Sequence, residues 1–406
     1  MNSNAAFKRL WITCLSALVM LIVVPLGHAA TVSAISGVVS YESLDPSEES
    51  HINVRFGGDE YTFQEEGALA PIKAGAGCEQ GTSYVVCDVP DAVLVSITLG
   101  PGNDTASFMS SVPVPTWITL GDGNDRLATN DENDTVLAGL GSDFVWSSRG
   151  DDTVLGQGGA DEIEGSLGND RLLGGTGADQ IAGGCGSDEI VGEDGNDVLK
   201  GDAGDEGQIC PGLFGFDDRL TGGAGDDRLA GDIGDDSLNG GSGADRLAGG
   251  DGVNTLVGGT GADRFVGSGK DTVLYTNRTV RVYVNQDGAA NDGTDADHNG
   301  IGEEGDNVAA SIELVRGGKG SDVLVGNDGP NRFDGRAGND WLYGLGDADA
   351  LYGGAGDDHL YGGAGNDYLH GDVGNDYLNG GPDIDTCVPG PNTYVDTLVS
   401  CETVVH

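Results

Sequence analysis

Aspartate recurs in this sequence every nine residues. The first run is Asp125, Asp134, Asp143, Asp152, Asp161, Asp170, Asp179, Asp188 and Asp197. The second is Asp218, Asp227, Asp236 and Asp245, then Asn254, then Asp263. The third opens at Asp322, substitutes Asn331, and continues through Asp340, Asp349, Asp358, Asp367, Asp376 and Asp385. An ionised carboxylate offers only acceptor oxygens. A phased series of them is suited to one chemistry above others, the holding of a hard cation.

The residues around each aspartate say what must position it. Glycine stands two places before it in most copies, as at Gly123, Gly177, Gly225 and Gly356. One large apolar residue stands two places after it, as at Leu127, Val154, Ile181, Leu229, Leu247, Leu324, Leu360 and Leu378. The glycine-rich part supplies a tight turn with positive φ. The three residues after it suit a short strand. One aliphatic side chain per nine residues cannot build a core alone, but stacked parallel turns bring these side chains into a column. One repeat then makes half a turn and 18 residues make a coil, giving an all-β solenoid with two short parallel sheets and glycine turns along both edges. Aspartates 18 apart fall on adjacent coils, about 4.8 Å from each other. Bare carboxylates at that spacing repel, so the spacing predicts a cation between them. Carboxylates with turn carbonyls form a hard oxygen shell of the six to eight ligands Ca²⁺ takes, whereas Mg²⁺ prefers a smaller octahedral one.

Copies such as GGTGADQIA from Gly174, GGAGDDRLA from Gly222 and GGAGNDYLH from Gly362 resemble the RTX, or haemolysin-type, calcium-binding nonapeptide repeat. The resemblance covers roughly residues 121–270 and 317–388. It implies a parallel, right-handed β-roll with Ca²⁺ between successive coils, the phased aspartates above as ligands, and at most about 17 sandwiched ions. Asn254 and Asn331 depart from the pattern, as do Glu132, Asp347 and Asp383 where glycine is expected. Many members of the family are exported by an uncleaved C-terminal signal. This chain instead carries Lys8 and Arg9, an apolar stretch from Leu10 to Leu26, and the small-residue exit Gly27-His28-Ala29-Ala30. That order reads as a cleavable export signal ending at residue 29. The chain therefore more closely resembles the Sec-exported, repeat-only calcium-binding proteins, and its expected location is extracellular.

Composition agrees. With 19 basic and 67 acidic residues the net charge is −48, which excludes a nucleic-acid-binding reading. The 74 glycines follow no three-residue period, so the chain is not collagen-like. No second apolar run approaches membrane-spanning length. Cys14 leaves with the signal, and an even number, Cys78, Cys87, Cys185, Cys210, Cys387 and Cys401, remains in an oxidising compartment. Six cysteines allow 15 pairings; proximity favours Cys78–Cys87, Cys185–Cys210 and Cys387–Cys401.

The interruptions are informative too. Asp104 to Asp125 and Asp197 to Asp218 are both 21 residues, which predicts a coil with a three-residue bulge at each. Residues 271–316 contain a strand-like TVRVYVNQDG and then Asp295, Asp297, Asn299 and, at the twelfth position, Asp306. This resembles the D-x-D-x-N-G calcium loop of EF-hands or thrombospondin type-three repeats, and it implies a second kind of Ca²⁺ site. Trp341, His359 and Tyr377 are 18 apart, as are Tyr343 and Tyr361. They predict aromatic ladders, open to two readings: packing between coils, or a strip that stacks on cell-surface or matrix glycan. The layout is a signal at 1–29, a β-rich cap at 30–99, roll at 100–270, an insert at 271–316, roll at 317–388 and a C-terminal cap at 389–406. No H-E-x-x-H or G-x-S-x-G motif is present and the histidines do not cluster, so no catalytic site is expected. The expected function is that of a secreted protein that folds on binding Ca²⁺ and serves as an extracellular interaction or structural element. Alternatives are a glycan-active enzyme, such as a polysaccharide lyase or epimerase, and an RTX-type toxin or adhesin fragment.

Overall fold

A computed structural model describes residues 31–35, 38–42, 51–57, 60–65, 73–74, 78–80, 85–88, 94–108, 112–202, 216–268, 270–294, 304–391 and 395–405. The stretch read as an export signal, residues 1–29, lies outside them. The chain winds into an all-β parallel solenoid of about 16 turns, about 18 residues each. Among the described residues no helix is long and apolar enough to cross a membrane.

One face of the solenoid is a single sheet. It begins at Leu94–Thr98 and Thr116–Asp122 and passes strand by parallel strand to Thr386–Val388 and Thr403–Val404. The opposite face is broken. A first sheet runs from Thr105–Phe108 to Arg264–Val266 and ends on Asn307–Val308. A second starts at Val282–Asn285 and continues through Val323–Val325 to Thr397–Val399. The register is the repeat itself: Leu172 sits beside Ile190, and Ile163 beside Ile181, each pair 18 residues apart. These side chains are buried in a column that fills the narrow interior. Each is worth about 1.5–3 kcal/mol on burial.

The edges turn on glycine. Gly175 and Gly177 have φ of 111° and 136°, and a Cβ on Gly177 would run into the carbonyl of Gly159 on the preceding coil. At several departures from glycine the backbone still has positive φ, as at Gln157, Leu345, Asp347 and Asp383, whereas Glu132 does not share it.

Upstream, Val38–Glu42 and His51–Gly57 extend the two faces in parallel, and each then pairs antiparallel with a neighbour, Thr31–Ile35 and Glu60–Glu65. Tyr41 and Phe63 are buried between them with rings stacked at 6.3 Å. At the other end a disulfide joins Cys387 to Cys401. Cys78 and Cys185 are disulfide-bonded as well; Cys78 sits opposite Cys87 in strand register, and Cys210 lies outside the described residues.

One expectation is corrected. Asp104 stacks on Asp125, a coil plus three residues. The second 21-residue step is different: Asp188 stacks on Asp218 and Asp197 on Asp227, each 30 residues apart. The step from one coil to the next there takes twelve residues more than the usual 18. A count of residues between aspartates does not distinguish these two solutions. The strand register does.

Candidate metal centre

Every phased aspartate from Asp125 to Asp385 is buried. Each is held by a backbone hydrogen bond across coils. The N–H of Asp104 donates to Oδ1 of Asp125, the N–H of Asp125 to Asp143, and so on through Asp161, Asp179, Asp197, Asp227, Asp245 and Asp263. The second edge runs from Thr116 through Asp134, Asp152, Asp170, Asp188, Asp218 and Asp236 to Asn254. The last block repeats both edges and ends them on Asp396 and Glu402. These bonds measure 2.6–3.0 Å.

The other carboxylate oxygen is the informative one. In every phased aspartate except Asp322, Oδ2 is buried with no hydrogen-bond partner. An ionised oxygen in that state is costly unless a cation meets it. Burial is the leading influence on these groups. It pushes Asp125 up to about 7, Asp152 to about 8 and Asp218 to about 9, and the neighbouring ladder carboxylates push the same way. Asp161 and Asp179 rise to about 6 for the same reason, pulled partly back by the N–H each accepts.

The turn glycines keep this oxygen accessible to an ion. A Cβ on Gly156 would fall against both Oδ2 of Asp161 and the carbonyl of Gly174 on the next coil. The same pair of oxygens converges beside Gly165, from Asp170 and Gly183. A carboxylate and a carbonyl from successive coils are therefore directed at one small space, the hard-oxygen donor set that suits Ca²⁺. Among the described residues no three His, Cys, Asp or Glu side chains form a group placed to hold a metal by themselves.

Other residues are placed as follows. Asp295, Asp297 and Asn299 lie outside the described residues. Asp306 is not a free loop carboxylate: its Oδ1 accepts the N–H of Asp263 and its Oδ2 the O–H of Tyr275, at 2.9 and 3.0 Å. It serves as the next rung of the first edge. Asp271 does the same for the second, accepting the N–H of Asn254. Neither role follows the nine-residue phase, so sequence reading missed both. It also missed an outer ladder one position before the aspartates, in which Asn124 accepts from Ser142, Asp151 from Asn169, and Asn169 from Ser187. The excess of Asn and Asp at that position was the available signal.

The aromatic ladders form. Trp341 and His359 stack at 4.2 Å with planes 2° apart, His359 and Tyr377 at 5.8 Å, and Tyr343 and Tyr361 at 5.0 Å. The ring faces of successive coils lie on one another.

The family model for RTX calcium-binding nonapeptide repeats matches residues 119–154, 155–190, 183–206, 214–247, 248–274, 316–351 and 352–387, more than half of the chain. Comparison with curated proteins returns no match. With buried acid ladders, orphaned oxygens and a parallel roll already in place, the chain belongs to the RTX calcium-binding nonapeptide repeat family.

Proposed function

We propose that this calcium-binding β-roll is an exported rod whose folding is driven by the ion, and that its role outside the cell is structural or adhesive, not catalytic. The observation that carries this is the row of buried, unpartnered Oδ2 atoms along both edges. At neutral pH without cations, closing the coils would force these carboxylates together and out of water. Ca²⁺ at millimolar extracellular levels removes that obstacle, and a low-calcium compartment would leave the chain open.

Each site is held by donors that exist only when two coils are stacked, so binding free energy becomes folding free energy. A site with Kd tenfold below the free ion concentration contributes RT ln 11, about 1.4 kcal/mol. A dozen such sites would match the stability of a whole domain. The expected role follows from shape and chemistry: long flat faces and a predicted signal at residues 1–29. The partner is expected to be cell-surface or matrix material that meets the strand faces or the Trp341 ladder.

Circular dichroism of the purified chain tests the reading. A disordered spectrum in chelator that becomes β on adding millimolar Ca²⁺, but not equimolar Mg²⁺, is expected. The same β spectrum in both conditions would refute coupled folding. Sedimentation with cell-wall material in calcium tests the role.

A further inference from the structure

The break between residues 267 and 322 is built differently from the coils on either side. In the regular coils each ladder aspartate has one oxygen engaged and one orphaned. In the break both oxygens are engaged by the protein. Asp271 accepts from Asn254 Nδ2 at 2.9 Å and from the Ser268 N–H at 2.6 Å. Asp292 accepts the N–H groups of Asn285 and Val308 at 2.6 and 2.8 Å. Asp306 is closed by the Asp263 N–H and the Tyr275 O–H, and Asp322 by the N–H groups of Val282 and Gly318.

The two departures from the repeat belong to the same arrangement. Asn254 and Asn331 are the ladder positions that face the break, one from each block. Asn254 supplies the amide that meets Asp271. Asn331 donates its amide to Gln286 Oε1 at 3.1 Å, while Gln286 Nε2 donates to the Ile312 carbonyl at 2.6 Å. The protein also supplies its own cation. The Arg278 guanidinium bonds the turn carbonyl of Gly259 and pairs with Glu304 at 2.7 Å. An amide, a phenol and backbone N–H groups thus take the place of the ion at these carboxylates, and the Arg278 guanidinium ties Gly259 to Glu304 beside them. One opposing face is also discontinuous here, since its first sheet ends on Asn307–Val308 and the next begins at Val282–Asn285.

We infer that the described residues of this segment form a joint whose coil-edge carboxylates, Asp271, Asp292, Asp306 and Asp322, hold no ion, so that it divides the coil-edge ion ladder into two separate arrays, one before residue 267 and one after 322, which load independently. The inference rests on the calcium reading of the ladders and adds that the ladder is not continuous.

The tryptophans make it testable on the full chain. Trp11 lies in the stretch read as an export signal and is replaced by Phe in every background; Trp117 and Trp146 lie in the first array and Trp341 in the second. A Trp341→Phe chain reports loading of the first array by fluorescence, and a Trp117→Phe/Trp146→Phe chain reports the second. Into each background Asp179→Asn or Asp358→Asn is introduced, and Ca²⁺ is titrated. Each ladder substitution is expected to raise the calcium midpoint at least threefold in its own array and to leave the other within a factor of about 1.5. Equal shifts in both arrays would overturn the joint. In parallel, bound Ca²⁺ per chain is measured by equilibrium dialysis for Asp271→Asn and Asp292→Asn. Saturating stoichiometry equal to the unsubstituted chain is expected, and loss of an ion from a chain that remains β would overturn the inference. If either variant fails to fold, the fluorescence titrations still decide it. Absence of any calcium uptake by the unsubstituted chain would instead refute the calcium reading itself, so the two failures are distinguishable.

Discussion

At the scale of single residues, the ladder aspartate has a sign that depends on the ion. Asp179 keeps its position through Oδ1, which accepts the Asp161 N–H at 2.8 Å. Its Oδ2 is buried without a partner. Asparagine keeps the shape and the Oδ1 acceptor and removes the charge. In calcium, Asp179→Asn should weaken the sites it borders and cost about 1–3 kcal/mol, one or two sites at the linkage value. In chelator the same change should favour the coiled state, because a buried like-charged carboxylate has gone. Urea titrations of the two proteins with and without Ca²⁺ check this. Destabilisation of equal size in both conditions would show that Asp179 acts through its hydrogen bond alone.

At the scale of the turn, glycine and its substitutes make opposite predictions. Gly177 has φ of 136° and its Cβ position is occupied by the Gly159 carbonyl. Gly177→Ala must force the coils apart and should cost at least about 2 kcal/mol. Leu345 has φ of 84° with an exposed side chain, so Leu345→Gly relieves backbone strain at little loss of packing. It should stabilise the folded state by about 0.5–1 kcal/mol after the entropy of glycine is counted. Thermal melts in saturating calcium measure both, and a destabilised Leu345→Gly would mean that the leucine is packed more firmly than its exposure indicates. These same turns explain what could be read in advance. The nine-residue phase carries the aspartates, the glycines and the buried Leu or Ile together, so the roll and both edges were legible from spacing alone. The joint was not. Asp306 reaches the first edge through a return of the chain over some forty residues, as the Asp263-to-Asp306 bond shows, and Asp271 meets Asn254 on the second edge at 17 residues, one short of the coil. No local period encodes such a return. The thirty-residue step from Asp188 to Asp218 was hidden for a related reason, since twelve inserted residues leave the flanking copies unchanged.

For the whole molecule, protons and calcium compete for the same oxygens, which gives the protein two opposite pH dependences. Folding without ions raises the ladder carboxylates above the usual carboxylate range, to about 6 at Asp161, about 8 at Asp152 and about 9 at Asp218. A group whose folded pKa is raised contributes stability that is fully present below its unfolded pKa, near 4, and is lost as pH rises through the folded value. Summed over both edges, the ion-free coil should be most stable in mild acid and lose structure between about pH 5 and 9. With calcium bound the folded state holds the carboxylates ionised, so the sign reverses and acid releases the ion before it unfolds the chain. Circular dichroism across pH 4–9 should therefore show β structure falling with rising pH in chelator. In millimolar calcium it should show β structure maintained at pH 7–9. A chelator curve that is flat or rises with pH would mean that the buried ladders are not what opposes coiling, and another source for the ion dependence would have to be found.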